Sequence, residues 1–317
     1  MLAQADRTDV LPRVSIGMPV YNGERWLEGT IEALLTQSLS DFELIISDNA
    51  STDATQSICD RLVVQDRRIR YYRNAQNIGA NRNYVSVLVQ ARAAYFKWAS
   101  SNDLCERRFL ERCVATLEAA PDAVLAYPRT MLFKSGPEDA VPFDGDLSVM
   151  QDSAADRFAY VLCNMTLNNA MNGVLRTSSL RRISPMGNFH SADIVMMAEL
   201  TLLGKFVQIP EPLFFRRMSE ESATALRARC EVERHFEPGA TAPLHWQRWK
   251  FQLRVWRGAL LVAPPGLEKM RALIFALKST VWGRSQLLGE IVAAVRSARR
   301  RSPSSRNMTS WRKQAKQ

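Results

Sequence analysis

The sequence predicts an α/β fold in which a mainly parallel sheet is flanked by helices on both faces. Two observations predict this class. Short apolar runs typical of buried strands alternate with longer stretches whose apolar residues recur at helical spacing. The alternation continues through the first half of the chain, as expected for successive β-α-β units. At 317 residues the chain is long enough to bury a sizeable core without disulfide or metal crosslinks.

The first half of the chain supplies most of the predicted sheet. Val14–Val20 is a continuous apolar strand, and the helix predicted after it places Leu27, Ile31 and Leu34 on one face. Pro121 ends the last helix of this half. The predicted strands are Val14–Val20, 42–47, Ile69–Arg73, 94–99 and 123–127, and the predicted helices are 24–37, 52–65, 80–91 and 107–120.

The second half is more irregular. A loop rich in Pro, Gly and Asp is predicted at 136–146 and a linker at 238–243 (PGATAP). Between them we expect helices near 152–163 and 193–203, a strand near 173–176 and extended segments at 206–217. The predicted organisation is a polar tail (1–12), a domain at 13–237 with halves 13–135 and 147–237, a basic helical extension (238–298) and a disordered tail (299–317).

The positive charge of the chain is concentrated at one end. The chain has 42 Lys and Arg against 32 Asp and Glu, a formal net charge of +10. Residues 240–317 hold 16 of these basic residues and only Glu268 and Glu290 as acids, so this region carries +14 and the remainder −4. Because the body is acidic and contains no recognition motif, we expect no binding to nucleic acid.

Composition also excludes several classes of protein. The five cysteines form no C-x-x-C pair, as expected of reduced thiols, and three histidines are too few for a His-rich zinc site. The N-terminal stretch MLAQADRTDVLPR lacks the apolar segment of a signal peptide. No run approaches the length, about 18 apolar residues, that a transmembrane helix needs. We therefore expect a cytoplasmic location.

Polar segments follow four of the predicted strands. They are PVYNG at 19–23, SDNASTD at 47–53, RN at 73–74 and SSND at 100–103. Because the carboxyl ends of parallel strands meet at one edge of a sheet, we expect these segments to form a ligand site. The chain contains neither G-x-G-x-x-G nor G-x-x-x-x-G-K-[ST], so a phosphate here would be held by side chains or a metal ion.

In their order, these segments resemble the motifs of the family 2 inverting glycosyltransferases, which have a Rossmann-like GT-A fold. The resemblance covers residues 14–217. VSIGMPVYNG (14–23) is similar to the opening strand and loop, ELIISDNASTDAT (43–55) to the second strand and acidic turn, and RNAQNIGANRN (73–83) to the third segment. KWASSND (97–103) occupies the place of the DxD-type motif, and 189–203 with PEPLFFRR (210–217) resembles the acceptor-side helix and strand.

The resemblance implies a nucleotide-sugar pocket. Pro19, Tyr21 and Asn22 would shape it, and Asp48 would accept a hydrogen bond from a base N–H group. Asn77 would lie near the nucleotide. Each position also has a structural explanation, because residues 19–22 suit a plain turn, Asp48 suits a turn carboxylate and an Asn in this segment can cap the following helix.

Asp103 is the candidate metal ligand, with Asn102 beside it at the nucleotide sugar. Mg²⁺ or Mn²⁺ prefers oxygen ligands, often one or two carboxylates together with substrate phosphates. The family usually carries two acids here, whereas this sequence has Asn102 before Asp103. That difference leaves open a weaker metal site, metal-independent catalysis or a protein that binds nucleotide sugar without transferring it. Asp103 could also cap the helix that follows.

Asp193 is the candidate general base, because the family carries an acid at the start of this helix and an inverting transfer needs a carboxylate that takes the acceptor proton. Helix capping is its alternative. Glu199 is predicted to lie near the opposite face of the helix. Alternation along a strand sends Arg216 and Arg217 to opposite sides, so one of them could face the diphosphate, as could His190.

The basic extension has two interpretations. Trp246, Trp249, Phe251 and Trp256 stand among basic residues, and apolar residues recur at helical spacing from Leu273 to Val292. This pattern suits residues 244–298 lying on an anionic membrane, with the protein peripheral on the inner face of the cell membrane. It equally suits a helical cap packed on the domain.

Together these expectations describe a cytoplasmic enzyme that transfers a sugar from a UDP- or dTDP-type donor to a hydroxyl of a glycan or lipid-linked acceptor. Surface polysaccharide or glycolipid synthesis is the process that the resemblance implies. The alternative is a catalytically degenerate binder of nucleotide sugars.

Overall fold

The computed structural model describes residues 11–218, 236–238 and 246–301, the last five of them by their backbone alone. The strands are β1 Val14–Val20, β2 Phe42–Asp48, β3 Ile69–Arg73, β4 Tyr95–Trp98, β5 Leu104–Cys105, β6 Ala123–Phe133, β7 Val141–Pro142, β8 Val174–Arg176 and β9 Lys205–Arg217. The helices are α1 Leu27–Leu35, α2 Thr55–Gln65, α3 Ala80–Val89, α4 Phe109–Ala119, α5 Ala154–Asn164, α6 Thr177–Leu180, α7 Ala192–Thr201, α8 Gln247–Arg257, α9 Leu267–Trp282 and α10 Arg284–Arg301.

The strands of the described residues form one sheet in the order β3-β2-β1-β4-β8-β6-β9-β5, with β7 paired to β6. The four strands from β3 to β4 are mutually parallel, which brings their carboxyl ends to one edge. Beyond β4 the sheet is mixed, because β8 runs antiparallel to both β4 and β6 while β9 is parallel to β6. The predicted α/β class is therefore confirmed, with parallel pairing concentrated in the first half.

Alternation along β4 shows how the sheet divides the core. Phe96 and Trp98 belong to the apolar cluster on one face, where Phe158 of α5 also lies. Lys97 is 1% exposed and points to the other face, with its ammonium 4.3 Å from the ring centroid of Phe109. The lysine donates to the carbonyls of Trp98 and Asn172, so it has a structural role.

Predicted and observed elements differ mainly at their ends. The strand predicted to stop at residue 127 continues through Pro128 to Phe133, because β9 pairs with it along this length. The short strand β5 and helix α6 have no counterpart in the prediction. Three predicted segments lie partly outside the described residues. They are most of the N-terminal tail, residues 239–243 of the linker and residues 302–317 of the terminal tail.

The C-terminal helices pack against the domain. Val255 of α8 and both Ala272 and Ala276 of α9 are fully buried in the same core cluster as Trp98. A buried ion pair joins Arg254 of α8 to Glu199 of α7, with Nε–Oε1 at 2.5 Å. Glu268 caps α5 by accepting from the Ser153 hydroxyl and the Ala155 N–H. The interpretation as a packed cap therefore holds for the inner side of these helices.

The aromatic residues of α8 favour the packed cap at their own positions. Trp249 donates its indole N–H to the Leu287 carbonyl, Trp256 donates to the Thr280 hydroxyl, and Phe251 packs against the core. These three side chains hold helices together and are not directed outward. Within the described residues, none of the helices is long and apolar enough to cross a bilayer.

Candidate active site

The carboxyl ends of β1 and β2 are tied together around Asn22. This residue adopts a left-handed backbone with φ of 51°, which asparagine tolerates better than most residues. Its backbone N–H donates to the Ser51 hydroxyl at 2.9 Å, and its side-chain oxygen accepts from the Thr52 N–H at 2.9 Å. Pro19 is buried in β1 and Tyr21 is exposed beside the turn. The three predicted pocket residues therefore stand together at the edge.

Asp48 ends β2 with a fully buried carboxylate. One oxygen accepts from the Ser51 N–H at 2.8 Å, the Asx-type turn that the structural interpretation predicts. The other accepts from the Tyr71 hydroxyl at 2.9 Å and from the Arg73 guanidinium. Burial raises the pKa of Tyr71, and its bond to Asp48 raises it further, so the hydroxyl stays a donor. Arg73, at the end of β3, is partly exposed to solvent.

The segment after β3 is built on asparagines. Asn77 accepts from the Asn49 amide at 2.7 Å and from the Gly79 N–H at 2.9 Å. Gly79 has φ of 85°, and a Cβ there would lie 2.1 Å from the Phe236 carbonyl oxygen, so only glycine fits. Asn83 donates to the Ser47 carbonyl at 2.8 Å. These contacts fix the loop beside Asp48.

Asp103 follows β4 and is buried. Its Oδ1 accepts from the Arg217 backbone N–H at 2.9 Å, which joins the loop to the end of β9. Burial raises the pKa of Asp103, and that backbone bond and the nearby Arg216 guanidinium oppose the rise. Asn102 is half-buried beside it, and its carbonyl accepts from Arg217 Nε.

Arg216 and Arg217 point to opposite sides, as alternation predicts. Arg217 is buried, with its guanidinium 3.7 Å from the ring centroid of Trp26 and 4.4 Å from that of Phe133. Its guanidinium donates to the Asn102, Lys134 and Ser135 carbonyls and so holds the loop. Arg216 donates to Asn169 Oδ1 at 2.6 Å and acts electrostatically on Asp103. Of the two arginines, Arg216 is the one on the side of the candidate site.

Asp193 lies in the first turn of α7, behind Ser191, whose φ is 60°. Its Oδ2 accepts from the Asn168 side-chain amide at 3.0 Å. Glu199, on the same helix, instead pairs with Arg254 in the interior. The half-buried Asp193 therefore has a fixed orientation that comes from outside its own helix.

Tyr84 lies close enough to both carboxylates to be affected by their charges. Burial raises the pKa of its hydroxyl, Asp103 and Asp193 both add to the rise, and Ser100 and Arg216 oppose it. Asp103, Arg216 and Asp193 are thus within electrostatic reach of one phenol. Sequence reasoning missed Tyr84, Asn168 and the pairing of Arg73 with Asp48. Only Arg73 carried a signal, because it ends a predicted parallel strand.

Asp103 and Asn102 could bind a divalent cation only together with oxygen ligands from the substrate. Among the described residues, no three His, Cys, Asp or Glu side chains come close enough to hold a metal by themselves. Asp103 is nevertheless a buried carboxylate at the end of β4, and burial raises its pKa because desolvation disfavours the charged form. One carboxylate, a neighbouring amide and two phosphates match the usual coordination of Mg²⁺. Asp103 and Asn102 would therefore hold such an ion together with a diphosphate.

Two further polar residues lie near this edge. Asp53 accepts from the Glu24 N–H and the Thr55 N–H, both at 3.0 Å, and so joins the loop after β1 to the start of α2. His190 is exposed, its backbone N–H donates to Gln247 at 3.1 Å, and its ring meets that of Phe236 edge-on.

Comparison with known proteins identifies the first half of the chain. Residues 15–141 match the family model described as glycosyl transferase family 2. The match covers less than half of the chain, so these residues are similar to that family. The predicted resemblance is confirmed, and the matched residues include Pro19, Asp48 and Asp103.

Curated relatives match over similar lengths. EpsE of Bacillus subtilis (strain 168) is 38% identical over 110 residues, which are 34% of this chain and 39% of EpsE. The GalNAc(5)-diNAcBac-PP-undecaprenol beta-1,3-glucosyltransferase of Campylobacter jejuni is 34% identical over 95 residues, 29% of this chain and 30% of that protein. The chain thus spans less than half the length of these relatives.

Solved structures extend the likeness to the whole fold. TarS residues 1–349 of S. aureus, in complex with UDP-GlcNAc, superposes with a TM-score of 0.61 at 15% identity, covering 84% of this chain and 72% of that one. The mannosyltransferase PcManGT of Pyrobaculum calidifontis, in complex with GDP-Man and Mn²⁺, gives 0.52 at 14% identity, covering 95% and 84%. At these identities the likeness concerns the fold, and it confirms the GT-A class.

Proposed function

We propose that this protein is an inverting glycosyltransferase that moves a sugar from a nucleoside-diphosphate sugar to a hydroxyl group. The observation that carries the proposal is a series of hydrogen bonds through adjacent residues: the Arg217 N–H bonds to Asp103, Arg216 bonds to Asn169, and Asn168 bonds to Asp193. It supplies an anion-binding side and a carboxylate on a separate helix. The similarity of residues 15–141 to glycosyl transferase family 2 and the GT-A fold support the same reaction.

Asp48 and Arg73 would select the base of the donor. The Asp48 carboxylate is buried against the partly exposed Arg73 guanidinium, so a base that displaced this contact would meet an acceptor and a donor side by side. The imide edge of uracil or thymine offers the complementary N–H and carbonyl. We therefore expect a UDP- or dTDP-type donor, with Tyr21 and Asn22 beside the nucleoside and Pro19 supporting their turn. Asn77 would keep the adjoining loop in place, as its bonds to Asn49 and Gly79 do now.

The diphosphate would lie between Asp103, Asn102 and Arg216. A divalent ion bound there supplies Lewis-acid stabilisation of the leaving nucleoside diphosphate. Arg216 adds a positive charge that does not depend on an ion, and it is oriented by Asn169. The Mn²⁺ in the PcManGT complex supports the choice of Mg²⁺ or Mn²⁺.

Asp193 would act as general base. Its carboxylate takes the acceptor hydroxyl proton as that oxygen attacks the anomeric carbon from the face opposite the phosphate. A carbon–oxygen bond forms to the acceptor, the bond from carbon to the phosphate oxygen breaks, and the configuration inverts. Asn168 keeps one carboxylate oxygen engaged and so orients the other.

The acceptor we propose is a glycan or a lipid-linked glycan, in polysaccharide or glycolipid synthesis. Support comes from the relative in Campylobacter jejuni, whose name specifies an undecaprenol-linked substrate. Such an acceptor would be reached by a protein peripheral to the cytoplasmic face of a membrane.

A donor screen tests this function. We expect UDP-sugars or dTDP-sugars to raise the thermal unfolding midpoint, with a larger rise in Mn²⁺, because a ligand that binds only the folded state stabilises it. The anomeric configuration of the product, read by NMR, should be opposite to that of the donor. Binding without product from any donor would favour the degenerate binder, and retention of configuration would contradict the mechanism.

A further inference from the structure

The outer side of α9 is apolar. Met270, Ile274, Leu277 and Val281 follow one another at intervals of four, three and four residues, which places them on one stripe of the helix. Each is between 45 and 55% exposed. The inner side of the same helix is covered by the domain, since Ala272 and Ala276 are fully buried there. This helix therefore has two apolar sides, and only one is covered.

The next helix repeats the pattern. Leu288, Ile291, Val292 and Val295 of α10 stand at the i, i+3, i+4, i+7 positions of one stripe and are 36 to 59% exposed. Leu287, outside this stripe, is buried against the rest of the protein. We call these two rows of residues the apolar stripes.

The charge around the stripes is positive. Residues 246–296 contain nine Lys and Arg and two acids, and Lys278, Arg284 and Arg296 are exposed on the same two helices. Both acids are turned inward. Glu268 accepts from Ser153 and Ala155, and Glu290 accepts from the backbone N–H groups of Arg248 and Trp249.

We propose that α9 and α10 bind the surface of an anionic lipid bilayer through the apolar stripes. Exposed apolar rows flanked by basic residues are the pattern of a helix that lies in a membrane interface. A second copy of the chain is a poorer occupant, because it would bring two such positive regions together. Nucleic acid would leave the apolar rows uncovered.

The surface is fixed to the half of the protein that carries Asp193. Arg254 of α8 pairs with Glu199 of α7, and Arg271 of α9 pairs with Asp156 of α5 at 2.8 Å. A bilayer bound by α9 would therefore lie at a constant orientation to α7. The proposal does not depend on the proposed activity, since binding can be measured without any donor.

Vesicle flotation of the whole chain tests the proposal. We expect binding to phosphatidylcholine vesicles that contain phosphatidylglycerol, little binding to phosphatidylcholine alone, and loss in high salt. Ile274→Ser with Leu277→Ser should weaken binding about tenfold, because two apolar side chains leave the interface. The matched control is Val64→Ser with Val89→Ser, two exposed apolar residues of the body, which should bind as wild type does.

Charge is tested separately. Lys278→Gln with Arg284→Gln should weaken binding to the anionic vesicles by more than about tenfold, whereas Arg67→Gln in the body should not. Thermal unfolding midpoints close to that of the wild type show that each variant folds. Equal flotation of the stripe variant and wild type, or a dimer in light scattering that the stripe variant abolishes, would overturn the proposal. Asp193→Asn should float as wild type does even if transfer is lost.

Discussion

At the scale of single residues, the candidate site depends on side chains that orient others. Asp193 is held by Asn168, Arg216 by Asn169, and the Asp103 loop by Arg217. Each orienting contact comes from a different element than the residue it orients. Such contacts position charged groups before a substrate arrives, so these groups need little reorganisation when the reaction occurs.

Asn168→Ala should reduce kcat and leave donor binding unchanged. The variant frees the Asp193 carboxylate to rotate, and we expect a loss of about tenfold in kcat from misorientation. Steady-state kinetics and donor titration measure the two quantities. Asn164→Ala, an exposed asparagine whose amide bonds to Tyr160, is the control and should be silent. An equal loss in donor affinity would place Asn168 in donor binding instead.

Arg216→Gln should distinguish diphosphate from nucleoside contacts. We expect binding of UDP to weaken about tenfold and binding of uridine to stay the same, because only the phosphates meet the guanidinium. Asp48→Asn should weaken both ligands. Calorimetric titration reads both affinities, and a loss of uridine binding in Arg216→Gln would contradict the assignment.

At the scale of elements, two buried carboxylates tie secondary structure together. Glu43 on β2 bonds to Ser15 on β1, Arg70 on β3 and Arg92 after α3. Burial raises the pKa of Glu43, but the bonds from Ser15, Arg92 and Arg70 outweigh burial and leave the pKa below its ordinary value of 4.5.

Glu43 should therefore contribute to acid sensitivity. Because its pKa is lower in the folded than in the unfolded state, its stabilisation is present above about pH 4.5 and is lost as pH falls through the folded-state value. Glu43→Gln should cost about 2 kcal/mol near neutral pH, and less in acid. Urea unfolding across this range measures both, and a cost that grows as pH falls would contradict the sign.

The Arg254–Glu199 pair should govern attachment of the C-terminal helices. Arg254→Met leaves a buried carboxylate without its partner and should cost about 3–5 kcal/mol. Glu199→Gln added to it should restore part of that loss, because the unpaired charge is gone. The measurement is the free energy of unfolding, by denaturant, of Arg254→Met, Glu199→Gln and the double variant. If the losses of the two single variants add up to that of the double variant, the two residues are not coupled.

At the scale of the whole molecule, the sequence predicts more of the fold than of the site. The spacing of apolar residues indicates which side chains are buried, so β1, β3 and the strand–helix alternation are predicted closely. This spacing does not indicate which strands pair with each other. The antiparallel insertion of β8 between β4 and β6 and the extension of β6 to Phe133 are therefore not predicted. The motifs name Asp48, Asp103 and Asp193 as candidates, and their roles stay predictions.

Contacts between distant segments explain what the sequence could not predict. Asn168 and Asp193 are 25 residues apart, and Asn168 lies in the loop after α5, so spacing along the sequence does not predict their contact. The sequence left the aromatic residues of α8 open to a membrane or to a packed cap, because an amphipathic pattern does not tell which partner covers it. In the structure they pack between helices. The apolar stripes of α9 and α10 became recognisable once the inner sides of these helices were known.

The central claim is that Asp193 activates the oxygen that attacks the donor sugar. The most direct test is the rate of nucleoside diphosphate release from the UDP- or dTDP-sugar, by hydrolysis without acceptor, in wild type, Asp193→Asn and the exposed control Asp60→Asn. We expect Asp193→Asn to lose at least about 100-fold in rate while its donor affinity stays unchanged, and Asp60→Asn to match wild type. An Asp193→Asn variant that binds donor and releases nucleoside diphosphate at the wild-type rate would contradict the account.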